Sequence, residues 1–412
     1  MLGLLLAASL AGDYLLPSLS RALVGRPGNW LLLLGLLQLG AIALAAASGA
    51  LRGLRPGLPG VGLVLLVGTV GVHVLHAAAG GPALSAYGQT KALGVLGLAL
   101  PAFLVGALLG RGPVPAGRHW IAGFTLLLIG MTVTAWAIDP SWLTLQDEIQ
   151  GPLLAGVLVL PVHQALAFGL GKAALWWHAT AAESATRLLP RILPLGVTGA
   201  CLGFALLSGS RGYVIAAGLG VLAQAVSVRR PAALCGLLGL GAVLWWFGTG
   251  LASDAVRDGL DPQRIATSTS WRERGDLFDA AANAFLGRPF TGYGPGGFAT
   301  LLGESTRVYP HNVVLEVASE LGLPGLLALG LLLLPPFARM LHLLGSGSAP
   351  THAQRFAGGF LVFAVVASCG IGDLLRNAFL FTAAGMAATA FRPVVRSCHS
   401  SQLAADPVGC GG

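Results

Sequence analysis

Apolar runs of ~18 to 25 residues recur along this chain between short polar or Gly- and Pro-rich breaks, and that is the length a helix needs to cross a hydrocarbon core of ~30 Å. The pattern predicts twelve membrane helices, at roughly 2 to 20, 30 to 49, 60 to 79, 91 to 109, 119 to 138, 152 to 171, 191 to 208, 211 to 228, 231 to 251, 311 to 338, 355 to 372 and 375 to 392. The first run has no Lys or Arg ahead of it, and Asp13 is followed by more apolar sequence, so it reads as a retained helix rather than a cleaved signal. One stretch breaks the pattern. Thr269 to Gly325 holds arginines, carboxylates and a His-Asn pair between long apolar flanks. The chain therefore divides into helices one to nine (1–251), a large outer loop (252–310), helices ten to twelve (311–392) and a polar tail (393–412).

Composition fixes the class. Of 412 residues, 55% are hydrophobic and only 10% charged, with a mean hydropathy of +0.78. A soluble domain of this size has no means of covering so much apolar surface. The expected fold is all-α: a polytopic integral membrane protein with a folded extracytoplasmic loop that contains an amphipathic helix. The five cysteines form no disulfide framework and carry no expected catalytic role.

Charge placement orients the chain. With the N-terminus in the cytoplasm, Arg52, Arg55, Arg111, Arg118, Lys172, Arg187, Arg229, Arg230, Arg339 and Arg396 fall in inner loops or the tail, while the outer loop 139–151 has three acids and no base. That asymmetry is the positive-inside pattern, and it puts the 252–310 loop outside. The net charge of +8 is mostly inner-loop charge facing anionic lipid and requires no nucleic acid. Arg21, Arg26, Lys91, Arg211 and Arg376 are the exceptions, at outer helix ends.

Within the outer loop, Leu277, Phe278, Ala281 and Phe285 share one helical face, the pattern of an amphipathic helix lying on the membrane surface. It ends at Gly287, and GRPFTGYGPGG supplies turns that Gly and Pro readily make. No strand-loop-helix unit surrounds these glycines, so a nucleotide-phosphate loop is not expected. Pro310 sets the start of a membrane helix, with His311 and Asn312 in its first turn. A neutral imidazole there suits proton transfer from a sugar hydroxyl, because its ordinary pKa lies near the operating pH; an interfacial His that caps or hydrogen-bonds a loop is the alternative. Lys91 and the nearby His76 lie at outer helix ends, where snorkelling to headgroups is one role open to them. Asp373 and Arg376 suggest a local ion pair, and His73 with His76 lacks a third metal ligand. Glu320 lies nine residues past His311, ~13 Å deeper on a continuous helix, which suits a hydrogen bond to a neighbouring helix.

Three segments together resemble the O-antigen ligase and O-antigen polymerase family. They are a short Ser210-Arg211-Gly212 turn between helices; an R-x-x-x-aromatic helix leading to P-x-x-G-x-G-x-G-x-F (Arg274, Phe278, Pro289, Gly292, Gly294, Gly296, Phe298); and His311-Asn312 followed by ELGLPG. The resemblance spans roughly residues 190 to 340, with Phe278 where the family usually has Trp and Gly297 as an extra glycine. It implies a glycosyltransferase without metal or cofactor in the bacterial inner membrane, working at the periplasmic face. The donor would be a glycan on undecaprenyl diphosphate, and for the ligase branch the acceptor is a sugar hydroxyl of the lipid A core. His311 would activate the acceptor hydroxyl, and Arg211 and Arg274 would hold the diphosphate through guanidinium forks, with inversion at the anomeric carbon. Arg272 and Arg264 are rivals to Arg274, Lys91 is a further phosphate contact, and Asn312 and Glu320 are supporting residues; Glu316 has no clear family counterpart. The polymerase shares donor and motifs. A lipid-linked glycan flippase or transporter is the reading from another class, for which polar groups near the bilayer midplane and repeated halves are expected.

Overall fold

The computed structural model describes residues 30–55, 57–111, 118–138, 153–154, 158–159, 163–183, 189–207, 211–227, 269–304, 308–346, 348–370, 373–374 and 377–392. The first and ninth predicted spans, the acidic 139–150 stretch, Arg264, Arg376 and the tail lie outside these residues. The helices are α1 (Trp30–Ala47), α2 (Gly57–Ala78), α3 (Ala86–Leu109), α4 (Arg118–Ile138), α5 (His163–Glu183), α6 (Leu189–Leu207), α7 (Arg211–Ser227), α8 (Thr269–Gly287), α9 (Gly297–Leu301), α10 (Val313–Gly345), α11 (His352–Gly370) and α12 (Ala378–Ala390). Their one β partner among the described residues is a two-residue antiparallel pair, Leu153 opposite Val159. By length and apolarity, α2, α3, α10 and α11 are each able to cross a membrane.

Two elements differ from the sequence expectation. The sixth span does not start at 152: α5 begins at His163 and continues to Glu183. Pro161 precedes that start, and the Ala-rich run after Gly171 carries the helix on. Lys172 is therefore not an inner-loop charge. It is buried, with its ammonium 4.4 Å from the centre of the Phe168 ring. The second difference is in α10, which starts at Val313 and is interrupted at Gly322 (φ 65°, ψ −157°).

Small residues set the helix packing, as expected where lipid supplies no hydrophobic drive between helices. A Cβ on Gly106 would collide with the Thr382 carbonyl and one on Gly385 with the Phe103 carbonyl, so α3 and α12 touch backbone to backbone. Thr389 Oγ1 donates across the same contact to Ala107 O at 2.9 Å. Gly62 of α2 meets Ala328 and Leu332 of α10 in the same way. Helices α7 and α11 run antiparallel: Gly220 lies against Gly359, and Tyr213, nearer the start of α7, stacks with Phe363, nearer the end of α11. Exposed Leu75, Leu93, Leu126 and Leu193 form parts of the outer, lipid-compatible surface.

One end of the bundle is basic. Arg111 donates to Ala50 O, Arg52 O and Gly53 O at 3.4, 3.3 and 2.5 Å, and Arg339 donates to Ala388 O at 3.5 Å. Arg392 has its pKa lowered, first by partial burial and then by Arg339, Arg111 and Arg55. Arg55, Arg111 and Arg392 thus converge there with Arg339, which lies inside α10 rather than in an inner loop, and no carboxylate contributes to that shift.

Candidate functional site

At the opposite end, the break in α10 organises everything else. Pro324 has no N–H, so the Glu320 carbonyl loses its helical donor, and the turn at Gly322 frees Ser319 O and Leu323 N as well. Buried backbone groups need partners. The glycine turn between α8 and α9 supplies all three: Tyr293 N donates to Ser319 O at 3.0 Å, Gly294 N donates to Glu320 O at 2.8 Å, and Leu323 N donates to Pro289 O at 2.7 Å. The approach leaves no room for side chains, since a Cβ on Gly292 would collide with Glu320 O and one on Gly322 would lie 2.7 Å from Pro289 O. Both glycines also have positive φ, 63° and 65°. The glycine motif and ELGLPG are two halves of one contact.

Helix α8 covers this joint. Ala281 and Ala284 are buried with Phe298 of α9, and Leu277, Tyr293 and Leu315 pack around them. Leu277 and Ala281, two of the four residues of the face expected to lie on the membrane, thus pack on the protein. The turn also rests on two other helices: Gly296 lies against Gly88 of α3, and His73 of α2 reaches the Thr291 backbone.

Beneath the turn is a buried ionic clamp. Lys91 of α3 is 1% exposed and pairs with Glu316 and with Glu320, the latter at 2.7 Å. The two carboxylates are four residues apart, hence on the same face of α10. Glu316 Oε2 also accepts the Leu374 N–H at 2.9 Å, which ties in the connection between α11 and α12, where Asp373 is buried too. Lys91 neither snorkels nor faces an open site. Glu320 joins α10 to α3, and Glu316, which no motif had singled out, holds α3 as well and adds the connection at Leu374.

His311 and Asn312 lie at the head of α10. Asn312 is the N-cap: its Oδ1 accepts from Val314 N at 3.0 Å and Leu315 N at 3.2 Å. That is why the helix starts two residues later than the Pro310 signal suggested. His311 precedes it at φ 53°, unusual for a residue with a Cβ, and the only non-Gly positive φ among the described residues. Its ring is half-buried, 4.2 Å centre to centre from Tyr309.

The arginines divide. Arg274 is half-buried and donates to Gly370 O, the last residue of α11, at 3.3 Å. Arg272, two residues earlier, is exposed. Arg211 is the first residue of α7, and the antiparallel α7–α11 packing puts that helix start at the same end of the bundle as Gly370.

The long apolar helices define a multi-pass membrane protein. Residues 196–330 match the family model described as O-Antigen ligase, and that segment contains Arg211, Arg274, the glycine turn, His311 and the break at Gly322. The match supports the family on which the sequence motifs converge, one of ligase- and polymerase-type membrane glycosyltransferases. No curated protein matches the chain.

Proposed function

We propose that this protein is an O-antigen ligase, transferring a glycan from undecaprenyl diphosphate to a sugar hydroxyl of the lipid A core at the periplasmic face of the inner membrane. The observation that supports the reading is that Arg211, Arg274, the glycine turn and His311 all fall within the matched segment, with Arg274 donating to Gly370 O at the end of α11. The guanidinium forks of Arg211 and Arg274 hold the donor diphosphate and stabilise its developing charge. His311 takes the proton of the acceptor hydroxyl. The acceptor oxygen bonds to the anomeric carbon from the face opposite the diphosphate, the sugar–phosphate C–O bond breaks, and undecaprenyl diphosphate leaves with inversion. Lys91, engaged by two carboxylates, braces the floor of the site. Asn312 fixes the helix start that presents His311.

The test is incubation of the purified protein with undecaprenyl-diphosphate glycan and lipid A core, in the presence of EDTA. The expected product is glycosylated lipid A core, with activity retained in the chelator. Chain elongation of the donor instead assigns the polymerase reaction, and activity lost to EDTA and restored by Mg²⁺ or Mn²⁺ removes the arginine-based mechanism. Arg274→Lys keeps charge and loses the fork, so it is expected to bind donor weakly; Arg272→Ala dead beside an active Arg274→Ala would reassign the loop arginine.

A further inference from the structure

With Leu277, Ala281 and Ala284 of α8 packed on the protein, a different part of the same unit is left bare. Leu286 is 73% exposed and Phe290 is 71% exposed; no other large apolar side chain among the described residues exceeds Leu286. They flank Arg288, which is also exposed and whose guanidinium sits 4.6 Å over the Tyr293 ring.

The position of Phe290 is fixed by backbone contacts, not by a free loop. Pro289 O accepts from Leu323 N at 2.7 Å, and a Cβ on Gly322 would be 2.9 Å from the Phe290 carbonyl carbon. Leu323 begins a row of exposed leucines on α10 that continues through Leu327, Leu334 and Leu341. From Leu323 to Leu341 is ~27 Å of helix at 1.5 Å per residue, close to the ~30 Å of a hydrocarbon core. Leu323 therefore marks one edge of that core, the edge away from the basic end, and Phe290 sits beside it. An aromatic side chain next to a guanidinium is the composition that favours the headgroup boundary, ring in the acyl layer and cation among phosphates.

We propose that Leu286, Arg288 and Phe290 form an interfacial anchor whose partner is the lipid bilayer: the two apolar side chains enter the upper acyl layer and Arg288 pairs with phospholipid phosphate. The anchor, and not the length of α8, sets the height of the glycine turn and the α8 joint over the membrane. The proposal is independent of which glycan reaction the protein performs.

The experiment uses the full chain with its native cysteines replaced, reconstituted in phosphatidylethanolamine–phosphatidylglycerol nanodiscs and spin-labelled at one engineered cysteine. Phe290→Cys is compared with Leu327→Cys, on the lipid-facing row, and Glu304→Cys, on an exposed turn. Collision with oxygen is expected to exceed collision with a water-soluble nickel chelate at 290, giving a depth between the deep 327 label and the wet 304 label. A 290 label that matches 304, or one shielded from both reagents by another protein surface, overturns the anchor. Should the cysteine-free chain fail to fold, Phe290→Trp in the native background gives the same answer: added fluorescence quenched by shallow doxyl lipid supports it, and quenching by aqueous iodide overturns it.

Discussion

The two ends of this bundle handle charge in opposite ways. At the basic end, Arg111 and Arg339 donate to backbone carbonyls, and the Arg392 pKa is lowered by partial burial and then by its arginine neighbours. At the site end, the Lys91 cation is buried and met by two carboxylates from another helix. Surface charges of one sign are tolerable in water and near anionic headgroups. A buried ammonium is tolerable only when paired, and its pairing then dictates where helices sit. The basic end gathers charge of one sign, while the other end uses charge of both signs to hold its own parts in place.

Four substitutions press on that contrast. The largest effect is expected from His311→Gln, which keeps a hydrogen-bonding side chain and removes the base: glycan transfer should fall by ~10² to 10⁴ while donor affinity and melting temperature stay near wild type. An active Gln variant would return His311 to a structural role. Next is Lys91→Met, which strands Glu316 and Glu320 and should cost roughly 3 to 5 kcal/mol in a detergent unfolding assay. Adding Glu316→Gln and Glu320→Gln should restore much of that loss; no restoration would mean that the carboxylates do more than balance the lysine. Gly292→Ala comes third, at about 1 to 3 kcal/mol from positive φ and the collision with Glu320 O, with transfer reduced in step. Thermal melting and turnover measured on one sample check both. Smallest is Arg111→Ala at the basic end, roughly 0.5 kcal/mol or less, with turnover unchanged; a loss of transfer there would erase the distinction between the ends.

Local features were legible in the sequence where their cause was local. Helices α2, α3, α4 and α7 follow their apolar runs to within a few residues, and the glycines of GRPFTGYGPGG do take positive φ at Gly292, Gly294 and Gly296. The helix end at Gly287 was readable for the same reason. What escaped was set by distant partners. Lys91 and Glu320 are 229 residues apart, so neither end of the pair carries a local sign of the other, and a lysine at a helix start looks the same whether it snorkels or is clamped. The face of α8 was read as apolar, and Leu277 and Ala281 of it pack with α9 and α10, a partner the sequence does not name because hydrophobic period identifies a buried face without saying what buries it. Lys172 was counted as a loop charge since positive residues usually end apolar runs. Its ring contact with Phe168 is one turn away on α5, and it is the packing of α5 against other helices that buries it.

The contact between the glycine turn and the break at Gly322 also limits how this protein can be recombined. Each half leaves the other with unmet backbone groups, so residues 289–298 and 319–325 behave as a single transplantable part despite the helix start between them. A chimera with its crossover anywhere inside that window would join a turn from one parent to a helix break from another, and three hydrogen bonds would depend on two glycines that had never been matched. Crossovers placed ahead of α8 and after Gly325 keep the joint whole, and yield of folded protein from a series of such chimeras would map its borders residue by residue.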